Sequence, residues 1–349
     1  MQFISKIGTG AKGSKDLSYE EAYAAMQAIL EGNYHPVTLG AFTLAERWKP
    51  ETAVELAAFA DAMADRIIYP QETIHPPNLI NCAASYNGKS RTFNFALPAA
   101  LVTAAAGVPV VIHGAQDIPT KKGMTTSHLL SELGINLNRT PDQSLADVQH
   151  CNIGYLHQPV FNPDLFRLLS DRCAIGKRTF FNTIEPIANP LGAKVHLGGF
   201  VHRPFGELIC RAVQASRLGF ERVVMVCGIE GADEIRPGRS LVVELKEGET
   251  QAYYVEMEEL GLHARNEDTE TASREKTLMT RESMDRTLSL LNGDVHSGFA
   301  HIVLVNAALR LYAAGMVSRI SEGVELARTA VTSGGAMTVL SRWKEMAGV

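Results

Sequence analysis

Cysteine is sparse. Five occur in 349 residues, at positions 82, 151, 173, 210 and 227, and none forms a C-x-x-C pair. That spacing gives no zinc site and no disulfide framework, so the thiols are expected to be reduced and mostly buried. The eleven histidines include no H-E-x-x-H, and no G-x-S-x-G occurs anywhere, which sets aside zincins and nucleophile-elbow hydrolases. A cationic excess is missing too: 33 Lys and Arg stand against 38 Asp and Glu, for a net charge of -5. The chain therefore lacks the global basic signature of an obligate nucleic-acid binder, although a local patch is allowed. Residues 1–16 hold three lysines and no apolar run, so no secretory signal is read and cytoplasmic residence is expected. The longest uncharged stretch, Thr92 to Ile112, is 21 residues, long enough to raise the question of a membrane span. Asn94, Pro98 and Gly107-Val108-Pro109 divide it into an Ala-rich helix, Ala99 to Ala106, and a β-branched strand, Val108 to Ile112, so no membrane segment is expected.

What is present is the composition of a folded protein, with 46% hydrophobic residues, 20% charged residues, 29 Gly and 15 Pro, in a length suited to about two domains. The first 70 residues predict consecutive helices. Ser18 and Glu21 form a capping box before Ala22, Met26, Ile29 and Leu30, and Gly32 ends that helix. Pro36 and Thr38 start a second helix toward Trp48, and Pro50 is expected in the first turn of a third carrying Val54, Ala57, Ala58, Ala62 and Met63. From Asn78 the period changes. Strands are expected at Leu79 to Ala83, Val108 to His113, Asn152 to Leu156 and Arg222 to Cys227, separated by helices such as Thr126 to Leu133 and Gly206 to Leu218. Such alternation predicts an α/β fold with a central, mainly parallel sheet covered on both faces. Asn162 to Cys173 is helical again and is expected to return to the N-terminal helices. The expected organisation is a small α-helical domain at 1–70, completed by about 162–190, with 71–161 and 191–349 forming a large α/β domain and a cleft between them. Glu247 to Arg286 is the most charged and least periodic segment, with an exposed loop from Arg265 onward. Helices follow at Phe299 to Ala314 and at Ser321 to Thr329, the latter with Ser321 as N-cap.

Candidate chemistry gathers where strands end. Gly8-Thr-Gly10-Ala-Lys-Gly13 matches G-x-G-x-x-G, but only seven residues precede it and no strand ending in an acid follows, so it is a turn and no dinucleotide is predicted. Asp233 and Glu234 follow the strand Arg222 to Cys227, which puts two carboxylates at a carboxyl end. Such a pair suits Mg²⁺, which takes one or two carboxylates and completes its shell with water and phosphate oxygens, although an Asp-Glu dipeptide is also common without a metal. Ser85-Tyr-Asn87-Gly88-Lys89-Ser-Arg91 follows another strand as a polar, cationic, glycine-containing turn. It could cradle phosphate on backbone N–H groups or simply be a solvated turn. His113-Gly114 ends a third strand and is followed by Thr120, Lys121 and Lys122, where a structural histidine and a solvated lysine pair are the plain alternative. Arg172, Lys177 and Arg178 surround Gly176 ahead of Phe180-Phe-Asn182. A guanidinium there could clamp a planar anion or make a structural ion pair.

Taken in order, these segments resemble the anthranilate phosphoribosyltransferase family, glycosyltransferase family 3, with the nucleoside-phosphorylase type II fold. The likeness runs through the helices Leu17 to Met63, Phe93-Asn94, Ala104-Ala-Ala-Gly107-Val, His113-Gly114, Gly176-Lys-Arg178-Thr-Phe-Phe-Asn182, Asn189-Pro190, Gly231-Ala-Asp233-Glu234 and Asn306-Ala-Ala-Leu-Arg-Leu-Tyr312. The resemblance implies a homodimer formed through helical-domain surfaces, and a cleft where Mg²⁺ and phosphoribosyl pyrophosphate meet an aromatic amine. It also implies roles: Asp233 and Glu234 for the magnesium-linked acids, Asn94 for an asparagine of the donor loop, and Arg172 for the acceptor-binding arginine. The family's Gly-Thr-Gly-Gly-Asp loop is here replaced by the region Ala84 to Asn87, its lysine before His-Gly by Ile112, and its Asn-Arg after it by Ala115-Gln116. Its Leu-Gly-Pro-Leu reads Ile184-Glu185-Pro186-Ile187, and its His-Pro reads Asn162-Pro163. The turn Ser85-Tyr-Asn87-Gly88-Lys89-Ser-Arg91 and the His113-Gly114 followed by Pro119-Thr120 resemble a divergent branch of the family, some of whose members bind nucleic acid.

Two functions follow. The first is Mg²⁺-dependent transfer of a phosphoribosyl group from phosphoribosyl pyrophosphate to an amine or ring nitrogen, with Ser85, Asn87, Gly88, Lys89, Arg91, Asn94, His113, Gly114, Thr120, Lys121 and Arg172 binding substrate, Asp233 and Glu234 binding metal, and no general base assigned. The alternative is a lapsed enzyme that binds nucleic acid as a dimer, along Lys89, Arg91, Lys121, Lys122, Arg172, Lys177, Arg178 and Arg203.

Overall fold

A computed structural model describes residues 3–10, 12–71, 75–83, 86–229 and 232–349. Seven strands form one sheet: β1 Ile80–Ala83, β2 Val110–Gly114, β3 Ile153–His157, β4 Val195–Gly199, β5 Arg222–Cys227, β6 Arg239–Lys246 and β7 Glu249–Glu256. Their order is β3-β2-β1-β4-β5-β6-β7. The first five run parallel, and β6 and β7 add an antiparallel edge. From β1 the chain goes to β2 on one side, and it returns to β4 on the other. In an open α/β sheet a ligand crevice forms outside the strand ends at such a reversal.

Alternation along the strands decides what covers each face. Ile80, Val110, Ile112, Val224 and Val226 join the core under the helices Ala96–Ala105, Gly298–Ala313, Ile320–Thr332 and Gly335–Ala347. Val111, Leu156, Val223, Met225 and Leu245 point the other way, into a second core. That second core holds Met26, Ile29 and Leu30 of the helix Tyr19–Leu30, Leu39 and Phe42 of Pro36–Trp48, and Phe59 and Met63 of Ala53–Ala64. It also takes in Leu165, Leu168, Phe180, Phe181 and Ile184. Phe59 and Phe180 stack at 4.2 Å between centroids, with Phe42 edge-on to both. The N-terminal helices reach this face through the helix Pro204–Ala215, which packs against Ala53–Ala64 on one side and against β5 and β6 on the other. Among the described residues, no helix is long and apolar enough to cross a membrane.

The Ser18–Glu21 capping box is present. The third helix starts at Ala53, not at Pro50: Thr52 is its N-cap, with Glu55 completing a second capping box. Ser321 lies inside its helix, whose N-cap is Arg319, with Glu322 reaching back to the Arg319 N–H. Asn162 to Cys173 splits into two short helices, Pro163–Phe166 and Leu169–Ile175. The stretch from 247 to 286 is more regular than its charge suggests. The β6–β7 hairpin turns at Glu247 and Gly248, with φ of 53° and 82°, and the helix Lys276–Leu291 begins within the same segment.

Candidate functional site

A cleft of about 710 Å³ opens at the carboxyl ends of β1, β4 and β5. Its lining includes Ala83 and Asn87 to Thr92 after β1, Gly199 to His202 after β4, and Ile229, Ala232, Asp233 and Arg236 after β5. Lys121, Arg178, Asn182 and Arg47 close the side toward the N-terminal helices.

Three glycines let these loops touch. Gly88 has φ of 72°, and a Cβ there would meet the Gly123 backbone at 2.4 Å, while a Cβ on Gly123 would meet the Lys89 carbonyl at 2.4 Å. The two loops are laced by Lys89 N–H to Met124 O at 2.7 Å, Met124 N–H to Lys89 O at 2.8 Å and Gly123 N–H to Asn87 O at 3.0 Å. Gly199 lies against Asp233, where a Cβ would meet the Asp233 Cβ at 2.3 Å. The loop after β1 thus crosses the loop after β2, and the end of β4 meets the loop after β5, because side chains are missing where the backbones approach.

The result is a compact set of paired charges. The Lys89 ammonium donates to Asp233 Oδ1 and, at 2.6 Å, to Glu234 Oε2. Arg236 holds the other Glu234 oxygen through Nε at 2.8 Å and Nη2 at 2.5 Å. Burial by itself would raise the Asp233 carboxyl, but Lys89 beside it overrides that and holds it well below the usual carboxylate range. Burial pulls Lys89 down and the two acids push it up further, so it stays charged. On the opposite wall, Lys121 is pushed down by burial and by Arg178, and Arg178 by burial and by Arg47. That wall favours an anion.

The other expected site residues divide. Asn87 lines the cleft and, in the amide orientation that satisfies its neighbours, accepts from Arg178 Nη2 and Nε at 2.9 and 3.1 Å. Arg91 lies at the rim beside Glu270, 3.6 Å away. Lys121 lines the cleft, whereas Thr120 is exposed outside the lining. Asn94 does not reach the cleft: its Oδ1 accepts from the N–H groups of Ala96 and Leu97, and its Nδ2 donates to Thr126. His113 and Gly114 are fully buried within β2. His113 sits beneath the lining residue Tyr86, whose hydroxyl meets its Nδ1 at 2.6 Å, and burial holds the imidazole neutral with a pKa of about 3. Ser85 lies outside the described residues.

Arg172 departs most from its expected place. It is 3% exposed and makes a two-pronged ion pair with the fully buried Glu185, at 2.6 and 2.7 Å. Gln158 donates to the same carboxylate at 2.8 Å, and the guanidinium packs 5.2 Å from the Phe181 ring. It does not line the cleft. Of the eight cations proposed as a phosphate-tracking groove, Lys89, Arg91 and Arg172 face carboxylates. Lys122, Lys177 and Arg203 lie outside the lining.

Sequence reasoning missed Arg236, Arg47 and Glu270. Arg236 could have been found, two residues beyond Glu234 in one loop. Glu270 belongs to the segment expected to be an exposed loop, which instead folds back as a cleft wall through Phe93 N–H to Thr269 O at 3.0 Å and Thr271 N–H to Arg91 O at 2.9 Å.

Among the described residues, no group of three or more His, Cys, Asp and Glu could cage a metal. The donor set at Asp233 and Glu234 is two carboxylates, oxygen only, with the Asp233 side chain 27% exposed toward the cleft. That chemistry suits Mg²⁺, which leaves most of its shell to water and phosphate oxygens, and does not suit zinc.

Comparison with known proteins agrees with this architecture. Residues 1–67 match the helical bundle domain of a glycosyl transferase family, and residues 87–337 match its a/b domain. The anthranilate phosphoribosyltransferase of Nitrosomonas eutropha is 34% identical over 325 residues, covering 92% of each chain. That of Methanosarcina acetivorans is 34% identical over 347 residues, covering 98% of this chain and 88% of its own. The crystal structure of the Thermus thermophilus anthranilate phosphoribosyltransferase superposes with a TM-score of 0.84 at 30% identity, covering 99% of both chains. The Saccharomyces cerevisiae enzyme in complex with PRPP and Mg shares the fold, with a TM-score of 0.83 at 17% identity over 99% of this chain and 97% of its own. On its sequence and its fold, this chain belongs to the glycosyl transferase family that contains the anthranilate phosphoribosyltransferases.

Proposed function

We propose that the protein is a phosphoribosyltransferase, moving a 5-phosphoribosyl group from phosphoribosyl pyrophosphate to an amine or ring nitrogen. The observation that carries this reading is Asp233 facing the cationic wall of Lys121 and Arg178 across one cleft, with Glu234 joined to it through Lys89 just behind the lining, in a chain 34% identical to an anthranilate phosphoribosyltransferase.

In this reading Asp233 and Glu234 hold Mg²⁺, which when bound neutralises charge on the departing diphosphate. Lys121, Arg178 and the Asn87–Arg91 loop grip phosphate oxygens. The bond from the anomeric carbon to diphosphate oxygen breaks as the acceptor nitrogen forms its bond to that carbon, and the nitrogen releases its proton to solvent. The chain's part is positional and electrostatic, so no general base is required. Because Glu185 already occupies Arg172 as an internal carboxylate, Arg172 does not bind the acceptor in this arrangement. Asn94, His113 and Gly114 support the site from behind, and Thr120 takes no part.

The smaller unit in this proposal is 1–70 with 162–190, the larger one 71–161 with 191–349, and the enzyme works in the cytoplasm as a homodimer. Supporting the dimer is an apolar stripe on the helix Pro36–Trp48: Val37 and Trp48 are 73% and 76% exposed, with Ala41 and Leu44 also exposed between them. Their spacing puts all four on one face.

Titration calorimetry of phosphoribosyl pyrophosphate, with and without Mg²⁺, tests the function. Saturable, magnesium-dependent heat that disappears in Asp233→Ala/Glu234→Ala is the expected result. No heat at millimolar ligand, with an active relative responding as control, would overturn it.

A further inference from the structure

The acid pair that would hold magnesium is already holding a cation of the chain's own. Lys89 is fixed at its backbone on both sides, by the two hydrogen bonds to Met124, and the Gly88–Gly123 crossing leaves that backbone no room to retreat. From that anchored backbone its ammonium lies on Asp233 and Glu234, and its side chain is 9% exposed. With Arg236 on the far oxygen of Glu234, two carboxylates are matched by two cations. A divalent ion arriving alone would meet a neutral cluster with a tethered positive charge already inside it.

The contact is nevertheless exchangeable. Arg172 and Glu185 lock fork to fork in the interior, whereas Lys89 touches its acids through a single atom on a flexible four-carbon stem, at the edge of the cleft. A diphosphate in the cleft offers the ammonium new oxygens close by.

We propose that Lys89 is a tethered counter-cation: it occupies the Asp233–Glu234 pair while the cleft holds no phosphorylated ligand, keeps the divalent metal out, and moves to ligand oxygens when a diphosphate arrives. Metal and diphosphate then bind as one coupled event. The idea rests on the reading of Asp233 and Glu234 as metal-binding acids. By linkage, the factor by which diphosphate tightens metal binding equals the factor by which metal tightens diphosphate binding.

The test uses the full-length protein with Mn²⁺ as the probe, bound metal being read by electron paramagnetic resonance and water-proton relaxation, with and without inorganic pyrophosphate. In the wild type, Mn²⁺ alone should bind weakly, and pyrophosphate should tighten it at least tenfold. In Lys89→Met, which keeps the length and removes the charge, ligand-free Mn²⁺ should bind at least tenfold more tightly and the coupling should shrink. Lys89→Gln should behave likewise, and serves if the methionine variant does not fold. Mn²⁺ affinity of the ligand-free variants within twofold of wild type, with unchanged circular dichroism, would overturn the proposal while leaving the acid-pair reading intact. Mn²⁺ binding that survives Asp233→Asn/Glu234→Gln in the Lys89→Met background would place the metal elsewhere and overturn both.

Discussion

At the scale of single residues, the interior of this protein holds charge in two different ways, and they predict different behaviour. Glu46 is fully buried near Lys49, which it shares with Glu55. Burial, and then the neighbouring Glu55, raise its carboxyl from an ordinary 4.5 to about 8. A carboxyl whose folded pKa is raised binds more protons folded than unfolded, so its contribution is complete below pH 4.5 and is lost as pH rises through about 8. Thermal melts from pH 5 to 9 should therefore show a fall in Tm that is clearly shallower in Glu46→Gln. An equal slope in both proteins would refute the assignment. Arg172 and Glu185 are instead matched to each other as a two-pronged buried ion pair. Glu185→Ala leaves a buried guanidinium alone and should cost roughly 3–5 kcal/mol in urea unfolding, most of it recovered in the apolar pair Arg172→Met/Glu185→Leu. In the sequence Glu185 is visible as a carboxylate between Ile184 and Pro186. That it closes on an arginine 13 positions earlier is a fact of the fold.

Among elements, legibility followed how completely a segment is buried. The first helix, β2, β3 and β5 could be read because their apolar periods are uninterrupted and their ends carry caps or glycines. The edge strand β7 was illegible, since its outer residues are exposed and carry the charge that elsewhere marks loops. β4 was missed as well: its His196 and two glycines break an apolar run, yet Gly199 is where the acid loop packs. The three strand-end loops were placed correctly on one rim, because position after a strand is a property of the sequence. Which residues aim inward depends on backbone crossings that sequence does not display. Gly123→Ala tests one of them. Its Cβ would collide with the Lys89 carbonyl at 2.4 Å, so the Asn87–Arg91 loop must shift. Magnesium-dependent binding of phosphoribosyl pyrophosphate should weaken at least tenfold, about 1.4 kcal/mol, with helix content unchanged. Unaltered binding in a folded variant would show that this crossing does not set the loop.

For the whole molecule, the exposed stripe Val37, Ala41, Leu44 and Trp48 is the surface proposed to face a second copy. Trp48→Glu should turn a dimer into a monomer in sedimentation equilibrium, whereas Ile68→Glu, an exposed residue outside that helix, should not. A wild-type monomer, or a dimeric Trp48→Glu, would reject this interface. The shared core has a different consequence, for synthesis. Met26, Phe42 and Phe59 lie in the same apolar cluster as Val223, Met225 and Leu245, so the first helices leave the ribosome with one side bare. At about 5–20 residues per second, the helix Pro204–Ala215 that packs against Ala53–Ala64, about 150 residues downstream, emerges roughly 8–30 seconds later. During that interval the nascent chain has to keep its own beginning from sticking to its neighbours.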